Sequence, residues 1–168
     1  MKSAPLSPDT HAAEEVARLL DLAPLEQEGG FFRRSAEAAT ILPGSARRAY
    51  SVIYFLITPA GFSAMHKLET DEVWNFHCGD TLESLRLAPG GVGKVVTLGL
   101  DLAAGETPQD VVAAGVWQGT RLRAGGRWAL VSCVVAPEFR WSEFTLGDRR
   151  ELTAAYPGFA SEILGLTR

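Results

Sequence analysis

From Ala49 to Leu146 the chain repeats one texture: short runs rich in β-branched and aromatic residues, broken at close intervals by Gly, Pro or Asp. Such runs read as strands, because branched and aromatic side chains suit a pleated, half-buried surface while Gly, Pro and Asp suit turns. The spacing predicts strands over Ala49–Thr58, Ala64–Leu68, Asp71–His77, Leu82–Leu87, Lys94–Leu100, Asp110–Ala113, Gly119–Leu122, Trp128–Val135 and Glu143–Leu146. Turns fall at Pro59-Ala60-Gly61, Pro89-Gly90-Gly91, Ala104-Gly105 and Ala124-Gly125-Gly126. Short strands at this cadence restrict the fold to a sandwich or a small barrel.

Helical patterns flank the strands. Residues Met1–Thr10, with their prolines and serines, read as a flexible lead-in, and residues 11–168 as a single domain. Over His11–Leu22 the residues Val16, Leu19, Leu20 and Leu22 recur at helical spacing, with Thr10 placed to cap and Glu14 and Glu15 in the first turn. Pro24 halts this helix, and His11 at its start is expected to be exposed and without a role. Gly29-Gly30 marks a bend from which Phe31-Phe32-Arg33 resumes an extended run. At the other end Asp148 is placed to cap the segment Asp148–Ala155, and a second helical turn is expected over Phe159–Leu164.

A chain of 168 residues suffices for one core that buries about two-thirds of the unfolded surface. Its composition, 46% hydrophobic and 21% charged, is that of a soluble folded protein. The net charge of -4 and the scattered basic pairs Arg33-Arg34, Arg47-Arg48 and Arg149-Arg150 give no footprint for a phosphate backbone, so no nucleic-acid partner is expected. The longest apolar run, Val52–Ile57, stops at Thr58-Pro59, far short of the roughly 20 residues that span a bilayer, so no membrane partner is expected either. Met1–Pro8 lacks the layout of a secretory signal, which makes the cytoplasm the expected address. Cys78 and Cys133 are too few and too far apart for a disulfide framework; both read as buried free thiols, with a redox pair as the alternative.

Potential ligands and proton carriers crowd into Gly61–Gly79, GFSAMHKLETDEVWNFHCG. Strand periodicity sorts them: His66 and Leu68 share a face, Glu72, Trp74 and Phe76 share another, and Val73, Asn75 and His77 lie opposite to those three. If a tight turn at Glu69-Thr70 joins antiparallel neighbours, a regular strand cannot aim both Glu72 and His77 inward without a bulge.

This stretch resembles the first motif of the cupin superfamily of antiparallel jelly-roll barrels, with Gly61, His66, Glu72 and Gly79 at the motif positions. Ala113–Gln118, AAGVWQ, resembles the second motif, with Gly115 in place. A closer similarity is to one uncharacterised branch of that superfamily. It shares Glu28–Arg33, Ile53–Leu56, Ser63–His66, Asp71–Asp80 and Gly115–Gln118. The resemblance implies an all-β jelly roll with a short N-terminal helix and C-terminal helices, one concave pocket, and a homodimer. Metal-binding relatives carry further histidines where this chain has Leu68 and Gln118. Other departures are Asn75, Ala113 and Glu26-Gln27.

What the resemblance implies about chemistry centres on His66 and Glu72, as catalytic groups or as polar anchors for a small polar, sugar-like molecule. Arg33, Tyr54, Ser63, Asn75, His77 and Gln118 are the implied ligand contacts. One reading is metal-independent proton transfer of the epimerase or isomerase kind, with His66 as base beside a carbonyl. A second is a metal-dependent oxygenase or isomerase, a divalent ion being held by His66, Glu72, Gln118 and His77. A third is a non-catalytic binding or storage module. For each residue a structural role stands beside the functional one: His66 bonded near a strand end, Glu72 at a solvent edge, Arg33 paired with Glu26 or Glu28. Tyr54, Trp74 and Trp117 read as core, Tyr54 with a polar handle toward the cavity.

Overall fold

The computed structural model describes residues 4–168, and every statement below concerns those residues; Met1, Lys2 and Ser3 of the expected lead-in lie outside them. The strands are β1 (Ala23–Pro24), β2 (Phe31–Glu37), β3 (Ser51–Ile57), β4 (Ser63–Leu68), β5 (Asp71–Gly79), β6 (Leu82–Ala88), β7 (Val92–Leu98), β8 (Gln109–Val112), β9 (Trp117–Leu122), β10 (Ala129–Ala136) and β11 (Phe144–Leu146). They pair antiparallel into two sheets, ordered β1-β2-β3-β10-β5-β8 and β11-β4-β9-β6-β7. This is the jelly roll expected from the sequence, each predicted strand being recovered to within about two residues at its ends.

Alternation along the strands builds three layers of apolar packing. Between the sheets lie Phe55, Ile57, Trp74, Phe76, Leu82, Leu98, Leu122, Val131 and Cys133. The outer face of the first sheet, with Leu56, Leu130 and Trp128, is covered by helix α1 (Ala13–Leu19) through Val16. The outer face of the second sheet, with Met65, Leu85 and Leu87, is covered by Leu152, Tyr156, Ile163 and Leu166 of the C-terminal helices α2 (Arg149–Ala155) and α3 (Ala160–Gly165). Sheets with both outer faces covered leave their interior free to hold polar groups without losing the core.

Several expectations are corrected here. Helix α1 is shorter than His11–Leu22, and Thr10 does not cap it; the Thr10 hydroxyl instead donates to the carbonyls of Pro5 and Ser7, closing a turn ahead of the helix. The covering face is Ala13, Val16, Ala17 and Leu20, at i, i+3, i+4 and i+7, whereas Leu19 is 54% exposed. His11 is half-buried, and its carbonyl accepts from the Trp128 indole at 2.8 Å. The turn at Glu69-Thr70 does not join paired neighbours: β4 and β5 belong to different sheets, so the chain crosses the interior there. Cys133 is buried inside, but Cys78 is only half-buried and packs on the outer face, so they are not a redox pair. Asp148 caps α2 as expected, its carboxylate accepting from the backbone N–H of Arg150 and Glu151 at 2.8 and 2.9 Å. No helix among the described residues is long and apolar enough to cross a membrane.

Candidate functional site

The crossing from β4 to β5 sets His66 and Glu72 on facing sheets, both pointing into the interior. His66 is 2% exposed and Glu72 7%. Nδ1 of His66 lies 2.8 Å from the Ala64 carbonyl, an acceptor without a proton of its own, so Nδ1 carries the hydrogen and Nε2 is the basic nitrogen. The ring is stacked on Phe144 from β11, centroids 5.0 Å apart and planes inclined by 19°. Burial pulls the His66 pKa down, opposed by the Glu72 charge, so the imidazole is neutral near pH 7.

A third polar group reaches this cavity from the turn between β1 and β2. Gly29 and Gly30 adopt φ of 109° and 71°, and a Cβ on Gly30 would meet the Phe55 ring at 2.6 Å, so the bend requires glycine. The bend lays Glu28 along β4: the Glu28 carbonyl accepts from Ala64 N–H at 2.9 Å, and its carboxyl accepts from the Ser63 hydroxyl at 2.5 Å. Glu28 Oε1 is 3.9 Å from His66 Nδ1, outside hydrogen-bonding range. Burial raises the Glu28 pKa from 4.5 to about 7, opposed by Ser63 and Arg168. Burial likewise raises that of Glu72.

Behind Glu72 runs a chain of buried hydrogen bonds. The Gln118 amide donates from Nε2 to Glu72 at 2.6 Å, and its Oε1 accepts from Trp74 Nε1 at 3.0 Å and Arg86 Nη1 at 3.3 Å. Arg86 Nε donates to Asp110 at 3.0 Å, while Nη2 is buried with no partner among the described residues. Cys133 lies beside Glu72; burial, with Glu72 and Glu28 as neighbours, holds its thiol protonated.

The cavity has a volume of about 100 Å³ and is lined by Leu25, Glu28, His66, Leu68, Glu72 and Cys133, with Arg34, Phe139 and Trp141 at its rim. A larger hollow of about 1030 Å³ runs outside the barrel between α1, the Thr58–Gly61 turn and Arg127. Of the buried polar groups described above it contains none, so the chemistry belongs to the smaller cavity.

The sequence-predicted residues divide cleanly. His66, Glu72, Ser63 and Gln118 are brought together. Arg33 and Tyr54 are not: they face the outer side of the first sheet, Arg33 donating to the Leu20 carbonyl at 2.6 Å and lying over the Tyr54 ring. Asn75 and His77 are not either. Asn75 faces out and accepts from Gln109 at 2.7 Å, and His77 is exposed, at the register shift where Phe76 and Cys78 pair with successive residues of β10. The bulge that could have turned His77 inward therefore exists, but it leaves His77 outside. Glu28, Arg86 and Asp110 were missed. Arg86 shares the phase of Leu82 and Ser84 within an apolar strand, and Glu28 precedes the Gly-Gly bend; both signals are present in the sequence.

Two comparisons bear on this arrangement. The family model described as cupin superfamily (DUF985) matches residues 14–147. The chain belongs to this cupin family. A crystal structure of a Shewanella oneidensis protein is 37% identical, with a TM-score of 0.87 over 94% of this chain and 98% of that one. A hypothetical protein from Leishmania major is 30% identical, with a TM-score of 0.84 over 94% and 99%. The Bacillus subtilis oxalate decarboxylase, a cupin with Mn(II) centres, shares the fold at 12% identity and a TM-score of 0.54, this chain spanning 37% of its length. No curated protein matches the chain.

The metal that such cupins hold does not suit the residues of this one. Among the described residues no group of three or more His, Cys, Asp or Glu side chains is arranged to hold an ion. Leu68 offers no donor, His77 is outside, and both ends of the Gln118 amide are engaged. Arg86 brings a fixed positive charge to that same amide, which opposes a cation beside it.

Proposed function

We propose that this cupin binds a small polar, carbonyl-bearing molecule in the barrel and moves a proton on it without a metal. The observation that carries this reading is the convergence of a neutral, buried imidazole and a Ser63-tethered carboxyl with a pKa of about 7 on one cavity. His66 Nε2 accepts the proton beside the carbonyl, and protonated Glu28 donates toward the carbonyl oxygen. A positioned general acid and general base contribute about 10²- to 10⁴-fold each to such a transfer. The volume, about 100 Å³, lies below the usual range for drug-sized ligands, so the part of the molecule inside the barrel is only a few heavy atoms long.

Deuterium incorporation from D₂O into hydroxyacetone and dihydroxyacetone, followed by proton NMR, tests this reading. Exchange above the buffer rate that disappears in His66→Gln and falls in Glu28→Gln is expected. It should decline as pH rises through about 7, because Glu28 loses its proton there. Binding of either ketone without exchange would reduce the site to a binding module, and neither binding nor exchange would sink the proposal. Assembly as a homodimer is proposed on the exposed apolar residues Val92 and Val95 of the edge strand β7, surface that a second copy would cover. A monomer in sedimentation equilibrium would refute it.

A further inference from the structure

The rim of the cavity differs in chemistry from its floor. Trp141 is 49% exposed there and is held by edge contacts to Phe139 and Phe144, centroids 4.9 and 5.2 Å away. Phe144 is the ring on which His66 stacks, so the aromatic cluster runs from solvent down to the imidazole. Arg34 lines the same cavity and contributes one nitrogen, at 3.5 Å, to Glu37. Glu37 is shared with Arg48 at 3.2 Å. The same network takes in Glu138, which accepts from the Arg48 backbone and faces Arg140, and Glu143, which binds Arg47. Within it four guanidinium groups meet three carboxylates. Of these guanidinium groups Arg34 is the one that lines the cavity, and its single 3.5 Å contact to Glu37 leaves donors free there.

We infer that the rim is a subsite for a planar carboxylate, its apolar ring stacked on Trp141 and its carboxylate on Arg34. The inference rests on the reading of the barrel as a ligand site and names the class of molecule that site receives: a small aromatic or conjugated acid held at its mouth. An exposed indole presents a flat face on which planar rings stack, and a guanidinium with donors to spare recognises a carboxylate in bidentate fashion. Inside the cavity Glu28 is protonated below about pH 7, and the Glu72 carboxyl accepts from Gln118.

Isothermal titration of the whole chain with benzoate, benzamide, cyclohexanecarboxylate and glucuronate tests the inference. Benzoate is expected to bind about tenfold tighter than benzamide, with an advantage that shrinks as salt is added, and tighter than cyclohexanecarboxylate. Arg34→Gln and Trp141→Ala should each weaken benzoate about tenfold, whereas Arg34→Lys and Trp141→Phe should restore part of the loss. Both side chains are about half exposed, so their removal leaves the core intact. Equal affinity for benzamide, unchanged affinity in the two variants, preference for glucuronate, or no binding of benzoate would each overturn the inference. Deuterium exchange on the ketones is read separately. Benzoate binding that depends on Arg34 and Trp141 in a protein without exchange would leave the rim assigned and the acid/base reading refuted; the converse pattern would do the opposite.

Discussion

Replacing Glu28 by Gln should change how stability depends on pH. The Gln side chain keeps the oxygen that accepts from Ser63 but has no proton to exchange. In the folded protein burial raises the Glu28 pKa from 4.5 to about 7, against the opposing pull of Ser63 and Arg168. Between those two values the folded state holds a proton that the unfolded state has released. The stability contributed is fully present below about pH 4.5 and is lost as pH rises through about 7. At about 1.4 kcal/mol per pH unit the change amounts to roughly 3 kcal/mol, an upper value because the side chain is 13% exposed. His66, Glu72, Cys133 and Arg86 are common to both proteins, but Glu72 and Cys133 feel the Glu28 charge, so the difference reports Glu28 together with its coupling to them. Urea unfolding of the two proteins at intervals from pH 4.5 to 8 measures that difference. The variant should gain on the parent by about 3 kcal/mol across the range; stability curves that stay parallel would refute a buried Glu28 that titrates near neutrality.

Four further outcomes are expected. Arg86→Met leaves the Asp110 carboxylate without its partner and should cost about 3 kcal/mol, while Arg86→Met with Asp110→Asn should cost less than the single change; a larger loss in the double variant would refute the pairing. Gly30→Ala forces a left-handed alanine against Phe55 and the Leu56 carbonyl and should lower stability by about 3 kcal/mol, read from urea midpoints. Asp148→Ala removes the cap on two backbone N–H groups of α2 and should cost about 1 kcal/mol. Elemental analysis after exposure to zinc or manganese should find less than one ion per chain, and a stoichiometric ion that vanishes in His66→Ala would contradict the donor set described above.

The strands were legible because their apolar runs and turn residues act locally. The same period placed Glu72, Trp74 and Phe76 on one side of β5 and His77 on the other, as the structure shows. The edges of the reading failed where contacts between elements decide. Thr10 is a good capping residue by type, but its hydroxyl is taken by the preceding turn. Arg33 and Tyr54 belong to segments shared with the family, yet nothing in those segments says which face of the first sheet they occupy. Tyr54 alternates with Ile53 and Phe55, so once Phe55 is known to be inside, Tyr54 must be outside.

Glu28 and Arg86 show what local reading cannot supply. Each is a charged residue that looks like surface by composition, yet Arg86 is buried and Glu28 largely so, because the fold brings each a partner from far along the chain: Ser63 for Glu28, Asp110 and Gln118 for Arg86. The departures from the metal-binding pattern then cohere. Leu68 adds an apolar wall to the cavity, and Gln118 ties Glu72 through its amide to a guanidinium. A cation bound from solution would depend on pH and supply, whereas Arg86 is charged at all accessible pH and fixed by Asp110. Glu72 thus has a permanent positive neighbour one residue removed, which lowers its pKa against the larger effect of burial without neutralising the cavity. On the reading proposed above, His66 and Glu28 are the groups in this interior that exchange protons with a bound molecule.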